Sequence, residues 1–270
     1  MRKARYILLF WLIAHSLWLP AELTVLTWNT GRMGGFAKPE KNEVLQYLLA
    51  QDADVVCLQE VDVYKDARYL TLAEVKQTLG RKYPYSYLDF SVYDARHQYG
   101  TMVWSRYPLT NKQSIRYETR GNLSNRCDII VGKDTIRLIN NHLESYSFTA
   151  HDMDDMNEIE RKWRRAIPLR NKQAQTVRAE IEASPYPVVV VGDFNSVACS
   201  YAYLHISRGL YDAWNETHFW EWGATFTYKG IGLRIDYILC SDPLRPTACE
   251  VIKTTGSDHR PVVATLKCLH

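Results

Sequence analysis

The sequence lacks several features that would divide or specialise a chain of 270 residues. It contains no internal repeat, no low-complexity linker and no heptad run, so we predict one large domain, residues 21–270. It has no Cys-x-x-Cys pair and no cluster of cysteine with histidine, which argues against structural zinc. Its apolar stretch Tyr6–Pro20 is interrupted by His15 and falls short of the ~20 residues that a spanning helix needs.

An excess of positive charge is also absent from most of the chain. The sequence has 33 basic and 30 acidic residues, but Arg2, Lys3 and Arg5 lie within the first sixteen residues, which hold no acid. The remainder is formally neutral and lacks the global positive field of a tight, non-selective nucleic-acid binder. A local basic patch would still allow a nucleic-acid substrate.

The N-terminus has the layout of a signal peptide. Basic residues precede the apolar stretch Tyr6–Pro20, and Ala14-His15-Ser16 is a small-x-small cleavage site. We therefore predict that residues 1–20 direct export to the periplasm or the extracellular space. Two alternatives stay open: an uncleaved membrane anchor whose domain faces outside the cytoplasm, and a buried first helix.

Six cysteines would suit an exported protein. Cys57, Cys127 and Cys240 lie in apolar, strand-like runs, where cysteine is usually a small buried hydrophobe. A disulfide between Cys249 and Cys268 is an open alternative.

Segments rich in valine, isoleucine and leucine recur between turn residues and favour a strand-rich α/β protein. Either two facing sheets with outer helices or one doubly wound sheet satisfies the block order. The predicted strands are Leu23–Asn29, Asp54–Leu58, Ser86–Phe90, Tyr99–Ser105, Lys112–Arg116, Arg126–Val131, Thr135–Asn141, Pro187–Val191, Arg234–Cys240, Cys249–Thr254 and Pro261–Lys267. The predicted helices are Lys41–Gln51, Leu70–Leu79, Asn171–Ile181 and Ala202–Gly209.

Polar residues follow several of the apolar runs directly. Examples are Trp28-Asn29, Gln59-Glu60, Gly192-Asp193-Phe194-Asn195 and Ser257-Asp258-His259. Burying such side chains unpaired is costly, so polar groups at strand ends usually face a shared wet cleft. Carboxylates, amides and imidazole in one cleft are the groups that a metal-assisted hydrolase needs.

Six motifs in order resemble the endonuclease/exonuclease/phosphatase superfamily. They are Thr27-Trp28-Asn29, Leu58-Gln59-Glu60-Val61, Asn140-Asn141-His142-Leu143, Gly192-Asp193-Phe194-Asn195-Ser196, Arg234-Ile235-Asp236-Tyr237-Ile238 and Gly256-Ser257-Asp258-His259-Arg260-Pro261. The resemblance implies a four-layer α/β/β/α sandwich, an α/β fold (α+β in some schemes) of two facing mixed sheets with outer helices. It also implies Mg²⁺ or Mn²⁺ dependence and hydrolysis of a phosphoester.

The resemblance assigns metal binding to Glu60 as the principal ligand, with Asn29 and Asp258 nearby. Mg²⁺ prefers one or two carboxylates together with waters and phosphate oxygens, and this sparse set meets that preference. Bound metal would polarise the phosphoryl oxygen and lower the pKa of a bound water.

The resemblance assigns catalysis to five further residues. Asp193 is the candidate base for the attacking water, and Asn195 contacts a phosphate oxygen. His259 pairs with Asp236, since a carboxylate fixes the tautomer of an imidazole and favours its charged form. The His259–Asp236 pair is the alternative base, and His142 would stabilise the transition state or protonate the leaving group.

Arg126 matches a family position that reaches the phosphate, a task that suits a guanidinium group. The alternative is an ordinary surface or salt-bridge arginine.

Two further segments bear on the choice of substrate. Asp152–Lys172 runs from acidic to basic and is either a flap over the cleft or, as we favour, a solvated helix with internal ion pairs. Trp214–Phe226 is rich in aromatics. These would stack on bases, insert at a lipid interface or, as we favour, pack beneath a long loop.

The leading hypothesis is therefore an exported phosphodiesterase of endonuclease type that acts on nucleic acid, phospholipid or a small phosphodiester. The alternatives within the family are a lipid phosphodiesterase resembling neutral sphingomyelinase and a phosphomonoesterase. A catalytically silent anion-binding module is the non-enzymatic alternative. We expect a monomer without an obligate protein partner, and membrane association only through the N-terminal segment.

Overall fold

The structure is a computed structural model that describes residues 22–34, 37–146, 155–228 and 230–268. The predicted signal peptide or anchor, residues 1–20, lies outside the described residues, so the division into residues 1–20 and 21–270 stays a prediction. None of the described helices combines the length and apolar character needed to cross a membrane.

The described residues alternate between strands and a smaller number of helices. The strands are β1 (Glu22–Asn29), β2 (Val55–Tyr64), β3 (Tyr85–Tyr93), β4 (His97–Ser105), β5 (Leu109–Arg116), β6 (Leu123–Val131), β7 (Asp134–His142), β8 (Val188–Asp193), β9 (Tyr211–Asp212), β10 (Phe226–Tyr228), β11 (Ile231–Leu233), β12 (Asp236–Cys240), β13 (Leu244–Val251) and β14 (Val262–Cys268). The helices are α1 (Glu43–Ala50), α2 (Leu72–Leu79), α3 (Met156–Glu182), α4 (Tyr201–Ser207) and α5 (Ala213–Thr217), beside short helical turns at Gly31–Gly34 and Pro39–Lys41.

Two six-stranded mixed sheets face each other. Sheet 1 has the order β13-β14-β1-β2-β4-β3, and sheet 2 has the order β5-β6-β7-β8-β12-β9. One apolar core lies between the sheets, a second joins sheet 1 to α1 and α2, and a third joins sheet 2 to α3 and α4. The prediction of a four-layer α/β/β/α sandwich is confirmed, and the doubly wound alternative is wrong.

The valines of β8 show why hydrophobic periodicity alone left both architectures open. Val189 and Val191 face the core between the sheets, whereas Val188 and Val190 face the core beneath α3. Side chains alternate between the faces of a strand, so a strand covered on both faces is apolar throughout. Such a run is the same whether helices or a second sheet cover the other face.

Helix α3 begins at Asp155, whose side chain accepts a hydrogen bond from the Asn157 N–H, and it continues through Pro168 to Glu182. It is therefore much longer than the predicted helix Asn171–Ile181. Its first turns carry ion pairs of Arg161 with Glu158 and of Arg164 with Glu160, typical of a solvated helix face. The helix interpretation of the acidic-to-basic segment is correct for residues 156–172, and residues 152–154 lie outside the described part.

All six cysteines are described, and all are free. Cys57, Cys127 and Cys240 are buried, as predicted. In the β13–β14 pair, Cys249 lies opposite Ala264 and Cys268 lies opposite Leu244. Because each strand residue advances about 3.3 Å, this register places the two cysteines too far apart for a disulfide. The disulfide alternative is wrong.

Candidate active site

The central strands of the two sheets bring polar residues to one edge of the sandwich. β1 and β2 are parallel, as are β7 and β8, and the parallel pairs lie in the middle of their sheets. Asn29 is the last residue of β1, and His142 lies directly opposite Asp193 where β7 and β8 end. The predicted convergence of these strand ends is therefore present.

Glu60 differs from the prediction because its strand does not end before it. β2 continues to Tyr64, and its pairing with β4 shifts register between Leu58 and Val61. At this bulge Glu60 has a left-handed backbone with φ of 50°. A bulge re-aims a side chain relative to the regular pleat. Bulged pairing was not visible in the run of apolar residues before Glu60.

The position of Asp193 depends on a close approach between the backbones of β7 and β8. A Cβ built on Gly192 would lie 2.1 Å from the carbonyl oxygen of Asn141, so only glycine lets β8 pair this tightly with β7. Asn195 follows with φ of 50°, in the left-handed region that asparagine tolerates better than most residues. The Gly192-Asp193-Phe194-Asn195 sequence thus sets a sharp turn whose polar side chains point to the site.

Asn29 ties the two central carboxylates together. Its Nδ2 donates to Glu60 Oε1 at 3.1 Å and to Asp193 Oδ2 at 2.9 Å, while its Oδ1 accepts from the Gly31 N–H. Glu60, His142 and Asp193 also form a group in which one ligand atom of each lies within 4.8 Å of the others. Two carboxylates this close, bridged by a donor, suit a hard divalent cation.

Asp258 occupies a different position from the other predicted ligands. It is exposed at the rim of the cleft, where Oδ1 accepts a hydrogen bond from Ser257 Oγ at 3.3 Å. It belongs to neither of the groups of three side chains that could hold a metal among the described residues. Its role as a ligand therefore stays a prediction.

His142 and Glu60 form the first histidine–carboxylate pair, with 3.4 Å between Nε2 and Oε1. Burial acts against charge on both groups. For Glu60 this is outweighed by His142 and Asn29, which lower its pKa to about 2. For His142, burial is outweighed by the carboxylates of Glu60 and Asp193, which raise its pKa. Each group of the pair therefore favours the charged form of the other.

His259 and Asp236 form the second pair, with 2.9 Å between Nδ1 and Oδ2. The other ring nitrogen of His259 lies 4.0 Å from Asp193 Oδ2. Burial disfavours the imidazolium, but the two aspartates outweigh it and raise the His259 pKa to about 10. Trp28 Nε1 donates to the His259 carbonyl at 2.9 Å and so holds this residue against β1.

Asp193 lies between the two pairs. Burial and the neighbouring charge of Asp236 raise its pKa to about 6, against the opposing effects of both histidines and Asn29. Asn195 Nδ2 donates to Asp193 Oδ2 and to the Leu143 carbonyl, both at 3.0 Å. Asp193 is thus a carboxylate that is fixed by hydrogen bonds and that loses its proton near pH 6.

A layer of buried amides beneath the site was not predicted to have this role. Gln59 Nε2 of sheet 1 donates to Asn140 Oδ1 of sheet 2 at 2.7 Å, and Asn125 Nδ2 of sheet 2 donates to Thr101 Oγ1 of sheet 1 at 2.8 Å. These bonds fix the spacing of the sheets directly below the carboxylates. The only sequence signal was an asparagine or glutamine inside an apolar run.

The prediction that Arg126 reaches the phosphate is wrong. Arg126 pairs with Ile139 across β6 and β7, and Ile139 packs in the core beneath α3. Its guanidinium accordingly points to the helix side, where Nε lies 2.8 Å from Glu180 Oε2. The adjacent Asn125 faces the other sheet instead, because successive side chains of a strand point to opposite faces.

Sequence reasoning missed Arg170 of α3 and Tyr99 of β4. Arg170 is 1% exposed, and the carboxylate of Asp193 is close enough to act on its charge. The Tyr99 ring lies 6.4 Å from that of His142, and Glu60 raises the pKa of its hydroxyl further after burial. Neither residue follows a strand motif, and Arg170 was hidden in a run of basic residues.

The aromatic segment is only partly packed. Trp214 is buried, and its Nε1 donates to the Glu221 carbonyl at 2.9 Å. Phe219, Trp220 and Trp222 are 84%, 89% and 66% exposed. Packing beneath a loop is therefore correct for Trp214 and wrong for the other three. The Phe226 ring lies 4.8 Å from that of His259, so this segment continues into the site.

Comparisons with known proteins agree with this architecture. The model of the endonuclease/exonuclease/phosphatase family matches residues 26–259. The chain belongs to this family, whose members hydrolyse phosphoester bonds. No curated protein sequence is significantly similar to the chain.

Three solved structures illustrate the likeness. An endonuclease/exonuclease/phosphatase protein from Beutenbergia cavernae has a TM-score of 0.70 at 17% identity, covering 92% of this chain and 72% of its own. The human Nocturnin catalytic domain has a TM-score of 0.68 at 16% identity, covering 93% and 96%. Sphingomyelinase C from Streptomyces griseocarneus has a TM-score of 0.61 at 19% identity, covering 91% and 99%. Identities this low establish the fold alone.

Proposed function

We propose that the chain is a divalent-metal-dependent phosphodiesterase. The observation that carries the proposal is the convergence of Glu60, Asn29, Asp193 and His259, each within a hydrogen bond or about one water layer of the next. Asn29 bridges Glu60 to Asp193. The ligand set, mainly carboxylate oxygens, fits Mg²⁺ or Mn²⁺.

A bound cation would supply charge neutralisation at the phosphoryl oxygens and a more acidic water. Glu60 would hold it, with Asn29 beside the Glu60 carboxylate and Asp258 available at the rim. The low pKa of Glu60 keeps this ligand ionised over the whole physiological range.

Asp193 accepts the proton of the attacking water in this mechanism. Its pKa of about 6 makes it ionised at neutral pH yet basic enough to accept a proton. The raised pKa of His259 leaves that ring protonated, so it serves as a cation for the phosphate rather than as the base. This argument favours Asp193 over the His259–Asp236 pair, and Asn195 holds Asp193 in position.

His142 is the candidate proton donor for the leaving oxygen. Glu60 and Asp193 raise its pKa and so favour the protonated ring, and Glu60 fixes the ring from one side. These complementary protonation states argue against a catalytically silent module, since simple anion binding requires no buried carboxylate with a raised pKa.

Hydrolysis of bis-p-nitrophenyl phosphate by the full chain tests the proposal. We expect turnover with Mg²⁺ or Mn²⁺, loss of turnover in EDTA, and loss in Glu60→Gln even with metal. Glu40→Gln, at an exposed position, is the matched control and should behave as the unchanged chain. Turnover that persists both in EDTA and in Glu60→Gln overturns the mechanism.

A lipid phosphodiester is the second candidate substrate. It is favoured by the exposed Phe219, Trp220 and Trp222, because aromatic rings partition well into a membrane interface. Sphingomyelin vesicles, plasmid DNA and p-nitrophenyl phosphate as a monoester would separate the substrate classes. If lipid is the substrate, Trp220→Ala should slow vesicle hydrolysis while leaving hydrolysis of soluble bis-p-nitrophenyl phosphate unchanged.

Export and a monomeric state are part of the proposal. N-terminal sequencing of the mature chain after cell fractionation tests whether residues 1–20 are removed, and sedimentation of the purified chain tests the monomer. An intact N-terminus in the membrane fraction would favour the anchor.

A further inference from the structure

Arg170 is a buried charged side chain without an ionic partner among the residues that the structure describes. It is 1% exposed, and neither Nη1 nor Nη2 has a hydrogen-bond partner among the described residues. A guanidinium carries five N–H donors and no acceptor, so only acceptors can satisfy it. Burying such a charge with two of its three nitrogens unsatisfied is strongly unfavourable.

The other buried arginines of the described part behave differently. Arg137 lies 2.8 Å from Asp128 and Arg234 lies 2.8 Å from Asp212, so each has a carboxylate of its own. Glu144 could play this part for Arg170, but Arg165 Nη2 occupies its Oε1 at 3.0 Å. Its Oε2 also has no hydrogen-bond partner, which shows that Glu144 and Arg170 are not joined.

The position of Arg170 places it beside the reaction centre. Gln173, one turn further along α3, accepts a hydrogen bond from the Glu144 N–H at 2.7 Å. This contact fixes the helix against the segment that follows His142. On the other side of that segment, Asn195 Nδ2 donates to the Leu143 carbonyl. Burial lowers the pKa of Arg170, against the opposing effects of Tyr146, Asp193 and Glu144, so the Asp193 carboxylate lies near enough to act on the guanidinium.

Tyr146 orients the guanidinium. Its ring lies 4.1 Å from the central carbon of Arg170, a cation–π distance. The ring covers one face of the guanidinium plane, and a side-chain hydrogen bond with Tyr146 also favours the charged form of Arg170. Nη1 and Nη2 at the edge of the plane have no hydrogen-bond partner by strict geometry among the described residues. The edge is the part that bonds two oxygens of a phosphate at once.

We propose that Arg170 binds the non-bridging oxygens of the substrate phosphate through Nη1 and Nη2, with Tyr146 as its positioning residue. The proposal rests on the proposed function for the identity of the anion. Phosphate binding, which the family resemblance assigns to Arg126, is thereby assigned to a residue of α3.

Binding of inorganic phosphate to the full chain, measured by calorimetry in the presence of Mg²⁺, tests this without any turnover. We expect Arg170→Met to weaken phosphate binding at least tenfold and Arg170→Lys to weaken it to an intermediate extent. Arg126→Met is the matched control, since it also removes an arginine from the interface between α3 and sheet 2. It should bind phosphate as the unchanged chain does.

A second readout separates binding from a merely structural role. Guanidinium ion added to Arg170→Ala should restore a measurable part of kcat/KM, whereas the same salt should not raise the activity of Arg126→Ala. If Arg170→Met fails to fold, Arg170→Lys and this rescue decide the question.

Unchanged phosphate affinity in folded Arg170→Lys and Arg170→Met, together with no rescue, overturns the proposal. The proposal is also overturned if Arg170→Met and Glu144→Gln lose equal stability while phosphate affinity stays intact. That result would show that Arg170 forms a structural ion pair with Glu144. If phosphate binding depends on Arg170 but no phosphoester is cleaved, the proposed function fails and this inference stands.

Discussion

Glu60 and Asp193 are both carboxylates joined to Asn29, yet the two sheets give them different properties. Glu60, from sheet 1, has a side chain that is 28% exposed and a pKa of about 2. Asp193, from sheet 2, is 1% exposed and has a pKa of about 6. Two carboxylates whose pKa values differ in this way are suited to different tasks. In the mechanism we propose, Glu60 of sheet 1 holds the cation and Asp193 of sheet 2 accepts the proton.

The physical cause lies in their neighbours. Glu60 faces the imidazolium of His142 from a bulge that opens to solvent, so its anion is stabilised. Asp193 is enclosed and lies beside Asp236, so its anion is destabilised until both histidines partly compensate. Substitutions that remove the charge of one carboxylate at a time test whether Glu60 and Asp193 have different roles.

Removal of the Glu60 charge should have the largest effect. Glu60→Gln retains the shape but loses the principal anionic ligand, and metal catalysis contributes several kcal/mol to barrier lowering. We expect kcat/KM to fall by roughly 10³-fold or more, at about 1.4 kcal/mol per factor of ten. Calorimetric titration with Mn²⁺ should show that binding is lost. Retained Mn²⁺ affinity would mean that Glu60 is not the metal-holding side.

Asp193→Asn should come next. General-base catalysis contributes about 10²–10⁴-fold, so kcat should fall in that range while Mn²⁺ binding weakens much less than in Glu60→Gln. Steady-state kinetics and the same titration measure both effects. Equal loss of metal binding in the two variants would abolish the division of labour between the sheets.

The pH dependence of activity tests the protonation states proposed for Asp193 and His259. Activity should rise with pH through about 6 as Asp193 loses its proton, and fall through about 10 as His259 loses its own. Asp236 favours the imidazolium, so Asp236→Asn lowers the His259 pKa and moves the upper limb to lower pH. The profile of kcat/KM against pH measures both limbs. If the upper limb does not move in Asp236→Asn, the loss of activity at high pH is not caused by deprotonation of His259.

Much of the site was predictable because its residues follow apolar runs. Asn29, His142 and Asp193 lie at strand ends, where local sequence decides both the strand and its polar terminus. The order of motifs then identified the sandwich, which hydrophobic periodicity alone did not. Burial on both faces made β8 uniformly apolar and removed the pattern that would distinguish the two architectures.

What escaped prediction depends on contacts between distant parts of the chain. The direction of Arg126 follows from the register of β6 and β7, and a shift of one residue would reverse it. Arg170 lies near enough to Asp193 to be affected by its charge only because α3 packs on sheet 2. The exposure of Trp220 likewise reflects how the loop closes on Trp214, and composition carries no information on that closure.

Arg126→Met should have the smallest effect. Its ion pair with Glu180 is partly exposed and lies on the helix side of sheet 2, so kcat/KM should stay within about twofold and stability should fall by about 1 kcal/mol or less. Urea denaturation and steady-state kinetics measure the two quantities. A large loss of activity would return Arg126 to the phosphate site.

Anomalous diffraction from crystals grown with Mn²⁺ would show which side chain holds the cation, because it locates the metal without reference to activity. We expect one strong peak at coordination distance, about 2.0–2.3 Å, from a carboxylate oxygen of Glu60. That peak should lie on the side of the cleft facing Asp193. A fully occupied Mn²⁺ elsewhere, with the Glu60 carboxylate uncoordinated, would contradict it.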